Sequence, residues 1–225
     1  MDDERLLERE RMIGDILRET RYMRGAIAKE TLDAKVLAAI RAVPRHAFVP
    51  AELAEHAYGN HPLPIGHGQT ISQPFIVALM SDLLGLPDNA SVLEVGTGSG
   101  YQGAVLAHLA RRVYSVEIVP HLARQAARRF ADLGLANVEV RCGDGYQGWP
   151  EHAPYDGIVV TAAAPHIPQP LLDQLKPGAR LVIPVGLPFM PQSLLVATKH
   201  ADGGASLHNV LAVAFVPLTG EARDE

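Results

Sequence analysis

Between Ser91 and Tyr101 a short apolar run, Ser91-Val92-Leu93-Glu94-Val95, gives way to Gly96-Thr97-Gly98-Ser99-Gly100, and a helix-compatible run follows from Tyr101. A glycine at every second position after a strand-like segment marks a tight turn that brings backbone up to a ligand. Glycine removes the Cβ that would stand in the way and accepts backbone angles that other residues avoid. A helix starting at Tyr101 aims free N–H groups and the positive end of its dipole at the same turn. Strand, glycine turn and helix in succession constrain the chain to an α/β fold with a nucleotide-type site.

Two ligands fit this pattern. Gly98-Ser99-Gly100-Tyr101-Gln102-Gly103 also reads as the dinucleotide fingerprint. Against NAD, the Glu94 carboxylate just before the turn would repel a pyrophosphate at short range. It suits the sulfonium and ammonium of S-adenosylmethionine. About ninety residues also precede the strand, whereas a dinucleotide fold more often opens with it. The methyl donor is the favoured reading, with NAD as the alternative.

From residue 91 onward strands alternate with helices. Strands are predicted at 91–95, 112–117, 137–142, 155–161, 179–185, 193–199 and 209–216, and helices at 101–110, 121–134 and near 168–175. The alternation implies parallel pairing through right-handed crossovers, so a doubly wound, mostly parallel seven-stranded sheet. The turn-like Lys199-His200-Ala201-Asp202-Gly203-Gly204 suggests an antiparallel end.

Upstream, Leu6, Ile13, Ile16 and Leu17 form a helical stripe within 3–20. A second helix is predicted at 33–42, stopped by Pro44, and a third at 74–86. Residues 44–73 are proline- and glycine-rich with little periodicity, and read as an ordered irregular layer. The expected organisation is an N-terminal helical and loop layer, 1–90, packed on a core of 91–225.

Composition excludes several classes. Net charge is −5, which argues against nucleic acid as a partner. No apolar run approaches a membrane span, and the N-terminus lacks the basic-then-apolar order of a signal peptide. Cys142 is the single cysteine, which fits a reducing, cytoplasmic location; it reads as a small buried hydrophobe. No metal-ligating cluster occurs, and Arg124, Arg128 and Arg129 read as a solvated helix face. The apolar loop 187–191 is either a substrate rim or a packed connection.

Glu117 ends the second core strand about twenty residues past the glycines, where an acid can accept ribose hydroxyls. Gly143-Asp144-Gly145 follows the third, where the Asp can accept from an adenine amino group. Gly66-His67-Gly68-Gln69-Thr70-Ile71-Ser72-Gln73-Pro74 enters a helix. Ser72 is equally a helix cap and an active-site group on these grounds, while His67 reads as a loop residue.

Together these stretches resemble the protein-L-isoaspartate O-methyltransferase family. Val43-Pro44-Arg45-His46-Ala47-Phe48-Val49-Pro50, the run from Pro62 to Pro74, Leu93 to Gln102, Gly143-Asp144-Gly145, Ala153-Pro154-Tyr155-Asp156, Leu181 to Gly186 and Phe215-Val216-Pro217-Leu218 match in order. The run from Pro62 to Pro74 is the specific part, since many methyltransferases share the glycine loop. The resemblance implies a Rossmann-like methyltransferase that binds S-adenosylmethionine and releases S-adenosylhomocysteine. It implies methylation of the free carboxylate of L-isoaspartyl residues in damaged or aged proteins. Ser72 takes the catalytic role by this resemblance, with Thr70, Ile71 and Gln73 around donor and substrate. Glu94 and Gly96 would line the donor's amino-acid end, Glu117 its ribose, and Asp144 with Gly145 its adenine. The implied donor set also takes in Thr97, Gly98, Ser99, Gly100, Tyr101, Ile118, Gly143 and Thr161. Ile65, Ser72, Val216 and Thr219 would meet the substrate, and the protein would act as a monomer. Rival readings are a small-molecule or RNA methyltransferase, a non-enzymatic module that binds damaged protein, and an NAD oxidoreductase.

Overall fold

A computed structural model describes residues 2–187 and 190–220. The N-terminal layer opens with α1 (Asp2–Tyr22), a short α2 (Arg24–Ile27) and α3 (Ala34–Ala42). Asp33 caps α3 by accepting from Lys35 N at 2.8 Å. Two 3₁₀ turns follow, and then β1 (Leu63–Gly66) and β2 (Gln69–Ile71) pair as an antiparallel hairpin. The irregular layer expected at 44–73 is therefore partly sheet. Prolines and glycines obscured the strands' period of two. Gly66, His67 and Gly68 all take positive φ at the tip. α4 (Pro74–Leu83) closes the layer.

The core is a seven-stranded sheet. Its elements are β3 (Ser91–Val95), α5 (Tyr101–Ala107), β4 (Arg112–Glu117), α6 (Pro120–Asp132), β5 (Val138–Cys142), β6 (Tyr155–Val160), α7 (Gln169–Asp173), β7 (Leu175–Val185), β8 (Gln192–Lys199) and β9 (Ala205–Val213). Strand order is β5-β4-β3-β6-β7-β8-β9. The first five pair in parallel, and β8 runs antiparallel to both β7 and β9, so the antiparallel end is present. Order reverses at β3, which pairs with β4 on one side and β6 on the other. A crevice opens at the carboxyl ends of the strands at such a switch point. β7 begins at Leu175, earlier than the expected 179, and takes in Pro177 and Gly178.

Met12, Ile13 and Ile16 of α1 join Phe75 and Leu79 of α4, Val105 of α5 and Val92 of β3 in one apolar cluster on one sheet face. Leu6, expected in that stripe, is nearly half exposed, whereas Met12, outside the expected stripe, is fully buried. The opposite face packs Leu93, Val95, Ile158 and Tyr155 against Leu171. Both faces of β3 are thus covered, which matters for Glu94. No helix among the described residues is long and apolar enough to cross a membrane. Of the apolar loop 187–191, Pro188 and Phe189 lie outside the described residues, and Leu187 and Met190 are exposed.

Candidate active site

The crevice at the ends of β3, β4 and β6 holds a cavity of about 740 Å³, its open mouth included, within the size range of small-molecule sites. The glycine loop forms its floor. Gly96 and Gly100 both have φ of +93°, where a side chain is strained. A Cβ on Gly96 would stand 2.5 Å from Thr161 Oγ1, and one on Gly100 would stand 2.9 Å from Phe130 Cζ. These glycines let the loop lie against β6 and α6 while its other surface faces the cavity.

Glu117, at the end of β4, braces the loop. One carboxylate oxygen accepts from Gly98 N at 2.7 Å and the other from Val119 N at 2.9 Å. A carboxylate has about four acceptor positions, so capacity for ligand hydroxyls remains. Glu117 is the one charged side chain in this wall among the described residues. A pyrophosphate would find no cation here and a carboxylate instead, so the wall suits a cationic or hydroxyl-bearing ligand.

A second cavity, lined by Glu19, Gln73, Phe75, Leu211 and Phe215 among others, abuts the first. Thr70, Ser72, Thr161 and Val216 line both. Ser72 Oγ makes no hydrogen bond among the described residues, and the α4 N-terminus does not use it. Asn60 Oδ1 instead accepts from Phe75 N at 3.0 Å, with Gln73 at the cap position and Pro74 in the first turn. The equal choice between cap and site for Ser72 therefore loses its first arm.

The segment after β9 closes the first cavity. Ala163 N donates to Val216 O and Leu218 N donates to Ala163 O, each at 2.8 Å. Gln192 holds Phe215 from both sides, donating to its carbonyl at 3.1 Å and accepting from its N–H at 2.6 Å.

A family model described as protein-L-isoaspartate(D-aspartate) O-methyltransferase matches residues 18–223. The chain belongs to the protein-L-isoaspartate O-methyltransferase family. A Polaromonas sp. relative named protein-L-isoaspartate O-methyltransferase 2 is 60% identical over 206 residues, covering 92% of this chain and 96% of the relative. A solved protein-L-isoaspartate O-methyltransferase superposes with a TM-score of 0.81 at 30% identity. It covers 94% of this chain, which spans 66% of that longer one. A Plasmodium falciparum protein solved with S-adenosyl-L-homocysteine gives a TM-score of 0.75 at 26% identity, over 91% of this chain and 97% of that one.

Within this protein-L-isoaspartate O-methyltransferase framework, most of the expected residues converge. Thr70, Ile71, Ser72, Gly96, Thr97, Gly98, Ser99, Tyr101, Glu117, Ile118, Gly145, Thr161, Val216 and Thr219 all line the first cavity. Gln73 lines only the second cavity. Ile65 is not a wall of either: it packs beside Gly98 and lines a small recess with Arg129. Gly100, Gly143 and Asp144 stand outside the walls as well; Asp144 accepts from Tyr146 N at 2.9 Å.

Glu94 is the main departure. It is fully buried beneath the loop and is not part of the cavity wall. Ser115 donates to Glu94 Oε2 at 2.5 Å and pairs with Thr97 Oγ1 at 2.6 Å. Burial pushes the Glu94 pKa up to about 8, against the lowering pull of the Ser115 hydrogen bond. Burial thus favours the neutral acid, and the side chain lies in the layer beneath the loop rather than in the cavity wall. It props the loop through two hydroxyls.

Two further expectations change. Cys142 is exposed rather than buried. Arg129 leaves the solvated face and donates to Ser99 O at 3.1 Å, holding the back of the loop, while Arg124 and Arg128 stay exposed. Arg45 is fully buried: its guanidinium lies 4.7 Å from the Tyr101 ring centre and donates to Ala57 O at 2.7 Å. Burial lowers its pKa to about 10. Sequence reasoning missed Gln69, Gln102, Ala162, Pro217 and Leu218 as walls, although all but Ala162 stood inside a matching stretch.

Proposed function

We propose that this chain methylates the free carboxylate of L-isoaspartyl residues in peptides and proteins, using S-adenosylmethionine bound against the glycine loop. The observation that carries the reading is the meeting of two cavities at Ser72 and Thr70, one floored by glycines and the other lined largely by apolar side chains. A donor in the first and an extended peptide in the second have their reacting groups at that junction. Glu117 would take the donor's ribose hydroxyls, with Gly145 and Ile118 at its base end.

When bound, S-adenosylmethionine supplies an electrophilic methyl group, which a carboxylate oxygen takes as neutral S-adenosylhomocysteine leaves. An isoaspartyl carboxylate, with an ordinary pKa near ~4, is ionised at neutral pH and needs no base. What the chain supplies is alignment. Holding two reactants in line is worth about 7–11 kcal/mol, against about 3–5 kcal/mol for general-base help. The unpaired Ser72 hydroxyl orients the incoming carboxylate by donating to it and forms no covalent bond. The 216–219 segment walls off water, whose hydration would favour the anion over the less charged transition state.

Because one chain walls both cavities, the enzyme acts as a monomer on this reading, with 1–90 as the acceptor layer and 91–225 as the donor core. A net charge of −5 favours peptide over nucleic acid, and a lone cysteine fits the cytoplasm. The test compares methyl transfer to an isoaspartyl peptide and to its aspartyl twin. Transfer to the first alone is expected, and equal transfer to both defeats the reading.

A further inference from the structure

We infer that Glu19 is a specificity-determining residue that selects isoaspartyl substrates carrying a cationic side chain near the damaged residue; the inference rests on the peptide-methylating activity proposed above. Glu19 lies near the end of α1 and lines the second cavity. It is the one charged residue of that wall among the described residues. Its Oε2 accepts from Asn60 Nδ2 at 2.6 Å and from Gln73 Nε2 at 2.9 Å. Both donors are neutral amides, so the charge is held in place without being cancelled. No ion pair among the described residues includes it.

The surroundings sharpen its field. Phe75, Leu211 and Phe215 share the wall, and apolar neighbours screen a charge less than water does. Gln73, which Glu19 fixes, is the next residue after Ser72, where the substrate carboxylate must arrive. A peptide docking here brings one anion towards another. A lysine or arginine a residue or two away relieves that repulsion, and an aspartate or glutamate in its place adds to it.

The experiment measures kcat/KM at low ionic strength for isoaspartyl peptides that differ only in having Lys, norleucine or Glu at successive flanking positions. With the wild-type enzyme the Lys peptide should exceed the Glu peptide by about tenfold at the best position, with norleucine between, and the gap should shrink in high salt. Glu19→Gln keeps an oxygen for both amides but removes the charge, so its Lys-to-Glu ratio should fall below about twofold. S-adenosylhomocysteine calorimetry confirms that the variant is folded. Equal rates for Lys and Glu peptides at every position of the wild type overturn the inference, as does a ratio that survives in Glu19→Gln. Methylation of no isoaspartyl peptide at all sinks the activity itself, a result distinct from methylation without charge preference.

Discussion

The two halves of the site are built in opposite ways. On the donor side, the side chains that shape the loop hold one another in place: Glu117 accepts from Gly98 and Val119, Thr97 pairs with Ser115, and Ser115 donates to Glu94. On the acceptor side, the hairpin strands are four and three residues long, the tip residues are exposed, and Ser72 has a free hydroxyl. On the proposed assignment, a donor that never varies in shape meets a locked surface. A peptide that varies in everything but its misplaced carboxylate is met by an unpaired group on a light frame. The contrast teaches that rigidity is placed where the ligand is constant.

The sharpest way to break this contrast is to unlock the donor side. Gly96→Val places a branched side chain at φ +93° with its Cβ against Thr161 Oγ1, and should weaken S-adenosylhomocysteine binding by about a hundredfold or more in calorimetry. Binding at wild-type strength would show that the loop is not locked. The acceptor side answers differently. Ser72→Ala should lower kcat/KM roughly ten- to hundredfold, the worth of one hydrogen bond to a charged group, while donor affinity holds. Collapse of donor affinity in that variant would merge the two halves into one.

A third measurement probes the prop under the loop. The Glu94 pKa lies above its usual 4.5 at about 8 in the folded chain. Between those values the folded state keeps a proton that the unfolded state has shed. Stability should fall as pH rises through that window and level off above it. Glu94→Gln removes the contribution, so its unfolding free energy should gain on the wild type by on the order of 1 kcal/mol per pH unit from about 5 to 8. Parallel curves for the two proteins would mean that Glu94 is ionised in place. The smallest effect belongs to Asn60→Ala, which uncaps α4 and should cost about 1 kcal/mol in thermal or denaturant unfolding.

Residues in the donor half were largely readable in advance, because backbone periodicity and glycine placement determine it. β3 and β4 have the bounds that their apolar runs suggest, and Gly96, Gly98 and Glu117 stand at the cavity as their spacing implies. Glu94 was misread for a reason that the chain also contains. In a strand covered on both faces, a residue between Leu93 and Val95 points away from them towards the other layer, here into Gly103 and Ser115. Its type was plain, its direction was not. The acceptor half was harder. Asn60 caps a helix from fifteen residues away, and Glu19 reaches Gln73 from another helix. No local pattern carries such pairings, since they exist only once α1, the hairpin and α4 have packed.

The stitch between Ala163 and residues 216–218 has a temporal consequence. A ribosome delivers the N-terminal layer, the glycine turn and five strands well ahead of Val216. A nascent chain can therefore settle nearly its whole sheet while its donor chamber still lacks a side. Competence arrives late, with a few residues that add little to the bulk of the fold.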